Sequence, residues 1–141
     1  MQGLGVDLSA EEKAEQGGRG SHEFTGRHLL VSYFDCDAAR IRDTEGLLSA
    51  MKDAVRASGA TLLKSVEQSF SPEGMAAVFL LSESHASIHT YPEHASCFVD
   101  LFTCGNSCRA ELFDEVMRGF LLPAAVNKRI FIRNHETVED E

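Results

Sequence analysis

Residues 81–105 read LSESHASIHTYPEHASCFVDLFTCG, and Ser84, His85, Ser87, His89 and Cys104 stand within that span. Serine hydroxyls act as nucleophiles, imidazoles change charge near neutral pH, and thiols with an ordinary pKa of about 8.5 give up protons at cellular pH. The set could therefore support nucleophilic and proton-transfer chemistry. Alternation supplies a plainer reading. His85, Ser87 and His89 fall on one side of a strand, and Ala86, Ile88 and Thr90 on the other. A polar strand face is usually just solvated, so composition and periodicity alone favour an ordinary strand pair.

The elements that would carry these residues follow from pattern. RHLLVSYFDC (27–36) mixes β-branched, aromatic and leucine residues and predicts a strand. Leu47, Leu48, Met51, Ala54 and Val55 recur at helical spacing and predict a helix over 43–58, with Asp43 to cap its start and Gly59 its end. Residues 60–70 predict a second strand, and Ser71-Pro72-Glu73-Gly74 a turn. MAAVFLLS (75–82) is apolar on both faces, which suits an interior strand. Residues 85–91 alternate until Pro92-Glu93, and 96–104 predict another strand with Phe98, Asp100, Phe102 and Cys104 on one face. A helix is expected over 108–121, stopped by Pro123, and a last strand over 127–134. Clustered antiparallel strands with helices on one side predict an α+β fold, an antiparallel sheet with helices packed on one face as a two-layer sandwich.

The chain of 141 residues is the size of one domain and long enough to bury a core. No apolar run approaches the roughly 20 residues of a membrane span, and the amino end lacks a charged-then-apolar signal pattern. A soluble, cytoplasmic protein without membrane partners is expected. Residues 1–26, punctuated by Gly17, Gly18 and Gly20, read as a flexible leader, and 136–141 as an acidic tail. Of the net charge of −9, three units sit on the leader and four on the tail. With no basic patch, nucleic acid is not an expected partner. Cys36, Cys97, Cys104 and Cys108 do not form paired CxxC knuckles. Neither a disulfide framework nor a bound metal is therefore expected.

Several motifs, taken together and in order, go beyond pattern. Gly26-Arg27-His28-Leu29 with Cys36-Asp37, Ser58-Gly59-Ala60-Thr61, Phe70-x-Pro72, the SESH of 82–85, the IHTYPE of 88–93 and the DLFTCG of 100–105 all stand in sequence. This series resembles the bacterial S-adenosylmethionine decarboxylases, in register over roughly residues 26–133.

The resemblance implies a self-processing, pyruvoyl-dependent enzyme built on residues 27–135. The Ser84 hydroxyl would attack the carbonyl of Glu83, its cleavage-site partner. The resulting ester would eliminate, and hydrolysis would leave a pyruvoyl group at residue 84. The chain would part into a β chain of 1–83 and an α chain of 84–141. The self-made pyruvoyl cofactor would form a Schiff base with the substrate amine and act as electron sink. By the same resemblance His89 is the proton acceptor of processing and Cys104 the proton donor of catalysis. Phe70 and Tyr91 offer flat surfaces for an adenine and a sulfonium. Cys36 is expected to pack. The product would feed spermidine and other polyamine synthesis, and the bacterial members imply a homodimer, each half a cleaved α/β pair.

Two positions depart from the family pattern: Tyr91 stands where many members have tryptophan, and Ala76 where many have a serine. One spacing also needs explaining. Ser84 and His89 are five residues apart, about 16 Å along an extended strand, whereas direct proton transfer needs about 3 Å. Either the chain bends at Ser84 or the histidine comes from a second copy. Two alternatives stay open: the same chemistry on arginine or ornithine, and an unprocessed, inactive homologue with a regulatory role.

Overall fold

A computed structural model of the chain describes residues 24–135. The tail, and the leader apart from 24–26, lie outside the described residues. Six strands and three α-helices follow in order: β1 (Gly26–Phe34), α1 (Ala38–Arg42), α2 (Thr44–Ser58), β2 (Leu62–Ser69), β3 (Met75–Leu81), β4 (Ser84–Tyr91), β5 (Ser96–Cys104), α3 (Ala110–Leu121) and β6 (Ala125–Arg133). The strands form one sheet in the order β2-β3-β4-β5-β1-β6, and every pairing is antiparallel. The expected two-layer α+β sandwich is the fold observed.

Alternation decides which face the helices cover. Leu29, Val31 and Tyr33 of β1, Phe79 and Leu81 of β3, Ala86 and Ile88 of β4, and Val99 and Leu101 of β5 all point to the helix side and are buried. Leu47, Met51 and Val55 of α2 and Phe113, Met117 and Leu121 of α3 meet them there. Each is removed almost completely from water, worth about 1.5–3 kcal/mol per large side chain. The opposite face, which no described helix covers, carries His28, Leu30, Ser87, His89, Phe98, Asp100, Phe102 and Cys104.

The element boundaries have local causes. Asp37 caps α1 by accepting from the backbone N–H groups of Ala39 and Arg40, both at 3.0 Å. Asp35 takes a left-handed φ of 55° ahead of this helix, so the first strand ends at Phe34 rather than Cys36. Asp43 accepts from Gly46 N at 2.9 Å and opens α2. Gly59 closes it at φ 97°, the left-handed position that favours glycine. The last helix begins at Ala110, two residues later than its apolar stripe suggests.

An ionic cluster around the buried Asp114 fastens the edge strand β6. Asp114 of α3 accepts from the Tyr33 hydroxyl at 2.6 Å, and from Arg118 Nε and Lys128 Nζ at 3.0 Å each. Burial by itself would raise the Asp114 carboxyl, but the Tyr33 and Lys128 hydrogen bonds and the two cations outweigh it and hold it below the usual range. Cys36 is buried, as expected of a packing residue, and all four cysteines are reduced. A hydrogen bond with Cys36, together with burial, pushes the Cys97 thiol up and keeps it protonated.

Candidate active site

Strands β3 and β4 join through a two-residue turn, Ser82-Glu83, with Leu81 paired to Ser84. The peptide bond from Glu83 to Ser84 therefore lies at the tip of a tight hairpin. Glu83 sits at φ 61°, a left-handed conformation that costs an L-residue with a long side chain about 1 kcal/mol or more. Glycine or asparagine would be the usual occupant.

Register then fixes which groups share that end of the sheet. His85 stands opposite Phe102, so Ser84 comes level with Thr103 on the helix-side face, one step along β5 from Cys104, which is on the uncovered face. Cys104 is half-buried and lines a cavity of about 300 Å³ with Gly26, Phe102 and Arg133. Gly26 is required there, because a Cβ at that position would overlap the Phe102 ring. The structure thus brings Glu83, Ser84 and Cys104 to one end.

His89 and Tyr91 lie at the other end. Strand β4 runs without interruption from Ser84 to Tyr91, so the chain does not bend to carry His89 back to Ser84. Five extended residues separate them, about 16 Å. His89 is exposed and stands directly opposite Ala76 on β3 and Phe98 on β5. Tyr91 packs its ring against Phe98 at 5.3 Å. Phe70 is also at this end, just before the turn into β3, in a pocket shared with Arg42, Glu73, Thr90 and Pro92. Arg42 Nε and Glu73 Oε1 close the rim of that pocket at 3.0 Å.

Towards the Ser84 end lies a polar network whose members sequence reasoning left unconnected. His28 Nε2 is 2.7 Å from Asp100 Oδ2, and His85 Nε2 is 3.5 Å from the same oxygen. The Ser87 hydroxyl donates to Asp100 Oδ1. Arg133 Nη1 lies 3.1 Å from His28 Nδ1. Arginine can only donate, so Nδ1 accepts, and the His28 proton resides on Nε2 and is given to Asp100. Phe102 is held among these groups. Its ring stacks on His85 at 5.6 Å, meets His28 edge-on at 5.5 Å, and lies under the Arg133 guanidinium at 5.0 Å. His28, His85 and Asp100 lie close enough to hold a cation. The alternation placed His85 and Ser87, and separately Asp100 and Phe102, on common faces. Only the β5-β1-β6 order adds His28 and Arg133.

The S-adenosylmethionine decarboxylase family model matches residues 27–134. The chain belongs to the S-adenosylmethionine decarboxylase family. It is 42% identical over 93 residues to the S-adenosylmethionine decarboxylase proenzyme of Parasynechococcus marenigrum, covering 66% of this chain and 73% of that one. It is 39% identical over 99 residues to the proenzyme of Methanococcus aeolicus, covering 70% and 85%. The crystal structure of the adenosylmethionine decarboxylase from Aquifex aeolicus matches with a TM-score of 0.74 at 30% identity, covering 84% of this chain and 98% of that one. The matched span includes the hairpin tip, Cys104, His89 and the Asp100 network, and a decarboxylase is therefore the enzyme class of this protein.

Proposed function

We propose that this decarboxylase is made as a proenzyme, cuts itself between Glu83 and Ser84, and then decarboxylates S-adenosylmethionine. The observation that carries this reading is the hairpin tip: an intact serine follows a backbone-strained residue, within about one residue of register of Cys104. The names of the relatives, all proenzymes of S-adenosylmethionine decarboxylase, support it.

The roles follow from the groups present. The Ser84 hydroxyl attacks the Glu83 carbonyl, and the peptide bond becomes an ester. A base then removes the Ser84 α-proton, and the carboxylate of Glu83 departs from the β-carbon. Hydrolysis of the resulting dehydroalanine releases ammonia and leaves the pyruvoyl group at residue 84. The pyruvoyl group supplies a ketone that captures an amine and an electron sink for the carbanion left by carbon dioxide. Cys104, at the same end of the sheet, would hold the proton to be returned to the substrate. His89 is the base of processing, and because β4 is straight, it acts from a second copy of the chain.

A homodimer of cleaved pairs meets that requirement. The uncovered face exposes Leu30, Val78, Leu80, Phe98 and Phe131, an apolar surface of the kind a partner covers. A second sheet laid two-fold on the first would set one copy's His89, Tyr91 and Phe70 end over the other's Ser84 and Cys104 end. Aromatic surfaces would then meet an adenine and a sulfonium from the partner side. Arginine or ornithine would call for a carboxylate waiting at the far end of the pocket. Asp100, the carboxylate on this face, has both oxygens engaged by His28 and Ser87. We further place the enzyme in the cytoplasm, where four reduced cysteines are at home, at the head of spermidine and other polyamine synthesis.

Intact mass measurement of the purified chain tests the reading, with release of carbon dioxide from carboxyl-labelled S-adenosylmethionine, arginine and ornithine. Fragments of 83 and 58 residues, the second blocked at its amino end, and release from S-adenosylmethionine alone are expected. A single 15.5 kDa chain after prolonged incubation would overturn self-cleavage. Release from a basic amino acid alone would overturn the substrate.

A further inference from the structure

Scission at Glu83–Ser84 would remove the covalent tie that closes the β3–β4 hairpin. Before it, Ser84 is held from both sides, by Glu83 in the turn and by His85 in the strand. After it, residue 84 is the free end of β4. Free strand ends fray, because their last ladder bonds open at little cost. The group at residue 84 would then have to keep its place at this end of the sheet without the turn, and a misplacement of about 1 Å can cost 10²-fold in rate.

We propose that Asp100 is a positioning residue that fastens this cut end; the proposal rests on the cleavage reading above. Its side chain is the meeting point of three strands. Asp100 Oδ2 faces His85 Nε2 at 3.5 Å, and His85 is the residue next to the cut. The same oxygen accepts from His28 Nε2 at 2.7 Å, and the other oxygen accepts from Ser87. Asp100 therefore bonds β4 through Ser87 and stands 3.5 Å from His85, the two side chains of this face that lie nearest the new end. His28 in turn is braced by Arg133. Phe102 completes the clamp: it stacks on His85, is pinned under Arg133, and is two residues from Cys104 on the same face of β5. One cluster thus ties the residue after the cut to the strand that carries Cys104. Each contact is modest in energy, but a carboxylate accepting from several donors holds them more firmly than neutral pairs do.

The test compares Asp100→Ala in two backgrounds of the full-length protein, one that splits and one kept whole by Ser84→Ala. Amide hydrogen exchange at residues 85–88 is read in both, beside steady-state turnover of the split protein. Asp100→Ala is expected to split and then to exchange about tenfold faster than the split wild type at these residues. In the uncut Ser84→Ala background, where the turn still holds the strand, the same change is expected to alter exchange less than about twofold. Turnover of the split variant is expected to fall about 10–100-fold in kcat, with KM changing far less. Asp100→Asn keeps the shape and two of the contacts and guards against a folding defect; it is expected to give an intermediate loss. Equal acceleration in both backgrounds would mean that Asp100 merely stabilises the sheet, and would overturn the proposal. Wild-type turnover in split Asp100→Ala would do the same. A wild-type protein that never splits would instead overturn the cleavage reading, and is recognised by its intact mass before any variant is made.

Discussion

The two ends of the uncovered sheet face are built on different plans. At the Ser84 end the polar groups are tied together. Asp100 engages His28, Ser87 and His85, Arg133 braces His28, and Phe102 is packed among them. At the other end His89 is exposed opposite the small Ala76, and Tyr91 rests on a half-exposed Phe98. The first arrangement suits groups that must not move. The second suits groups that await something to act on. One strand, β4, carries a residue of each kind about 16 Å apart. A straight strand can do this usefully only if a second sheet closes the gap, so each end reads as half of a site.

The largest effects should come from the residues that separate the two plans. His89→Ala is expected to slow cleavage by about 10²–10⁴-fold, the usual weight of a positioned base, as followed by denaturing electrophoresis over time. Cys104→Ala is expected to split normally and then lose about 10²-fold or more in turnover. Equal loss of both steps in both variants would erase the distinction between the ends. A smaller effect is expected at Tyr91. Replacing it with alanine removes a stacking surface worth about 1 kcal/mol, raising KM several-fold while cleavage proceeds. A change in cleavage with no change in KM would detach Tyr91 from the substrate.

The smallest effect on chemistry, and a clear one on stability, is expected at Asp114 on the helix side. Its carboxyl is held below the usual range in the folded chain, chiefly by Tyr33 and Lys128 acting against burial. A group depressed on folding contributes stability that is full above its unfolded pKa, near 4, and is lost as pH falls through the lower folded value. Unfolding midpoints of the wild type should therefore drop below about pH 4, and Asp114→Asn should flatten that part of the profile. At neutral pH the variant should lose about 2 kcal/mol and still split. Failure to split with stability intact would mean that the ionic cluster serves the site and not the fold.

Much of this was legible in the sequence, and the rest was not for definite reasons. Alternation in HASIHTY and FVDLFTC assigned faces correctly, because a half-buried strand enforces a period of two. Asp43 and Gly59 marked α2 at both ends because capping is local chemistry. The short α1 went unread, although Asp37 caps it, since five residues give too little periodicity to detect. The motifs pointed to Ser84, His89 and Cys104, and the spacing of the first two posed their separation without choosing between a bend and a second copy. That depends on whether β4 is straight, and the pleat, not the spacing, decides it. The link from Asp100 to His28 spans 72 residues of sequence. It follows only from β1 lying between β5 and β6, a pairing order that no local pattern encodes.

The most direct test of a site shared between two copies is complementation. Ser84→Ala cannot be cut, and His89→Ala lacks the base, so the first alone should yield no fragments and the second should yield them only slowly. When the two are co-expressed, a mixed dimer pairs the Ser84 of one chain with the His89 of the other at a single site. The expected result is cleavage of the His89→Ala chain only, into 83 and 58 residues, with recovered release of carbon dioxide. Co-expressed chains that form mixed dimers and stay whole would contradict the shared site.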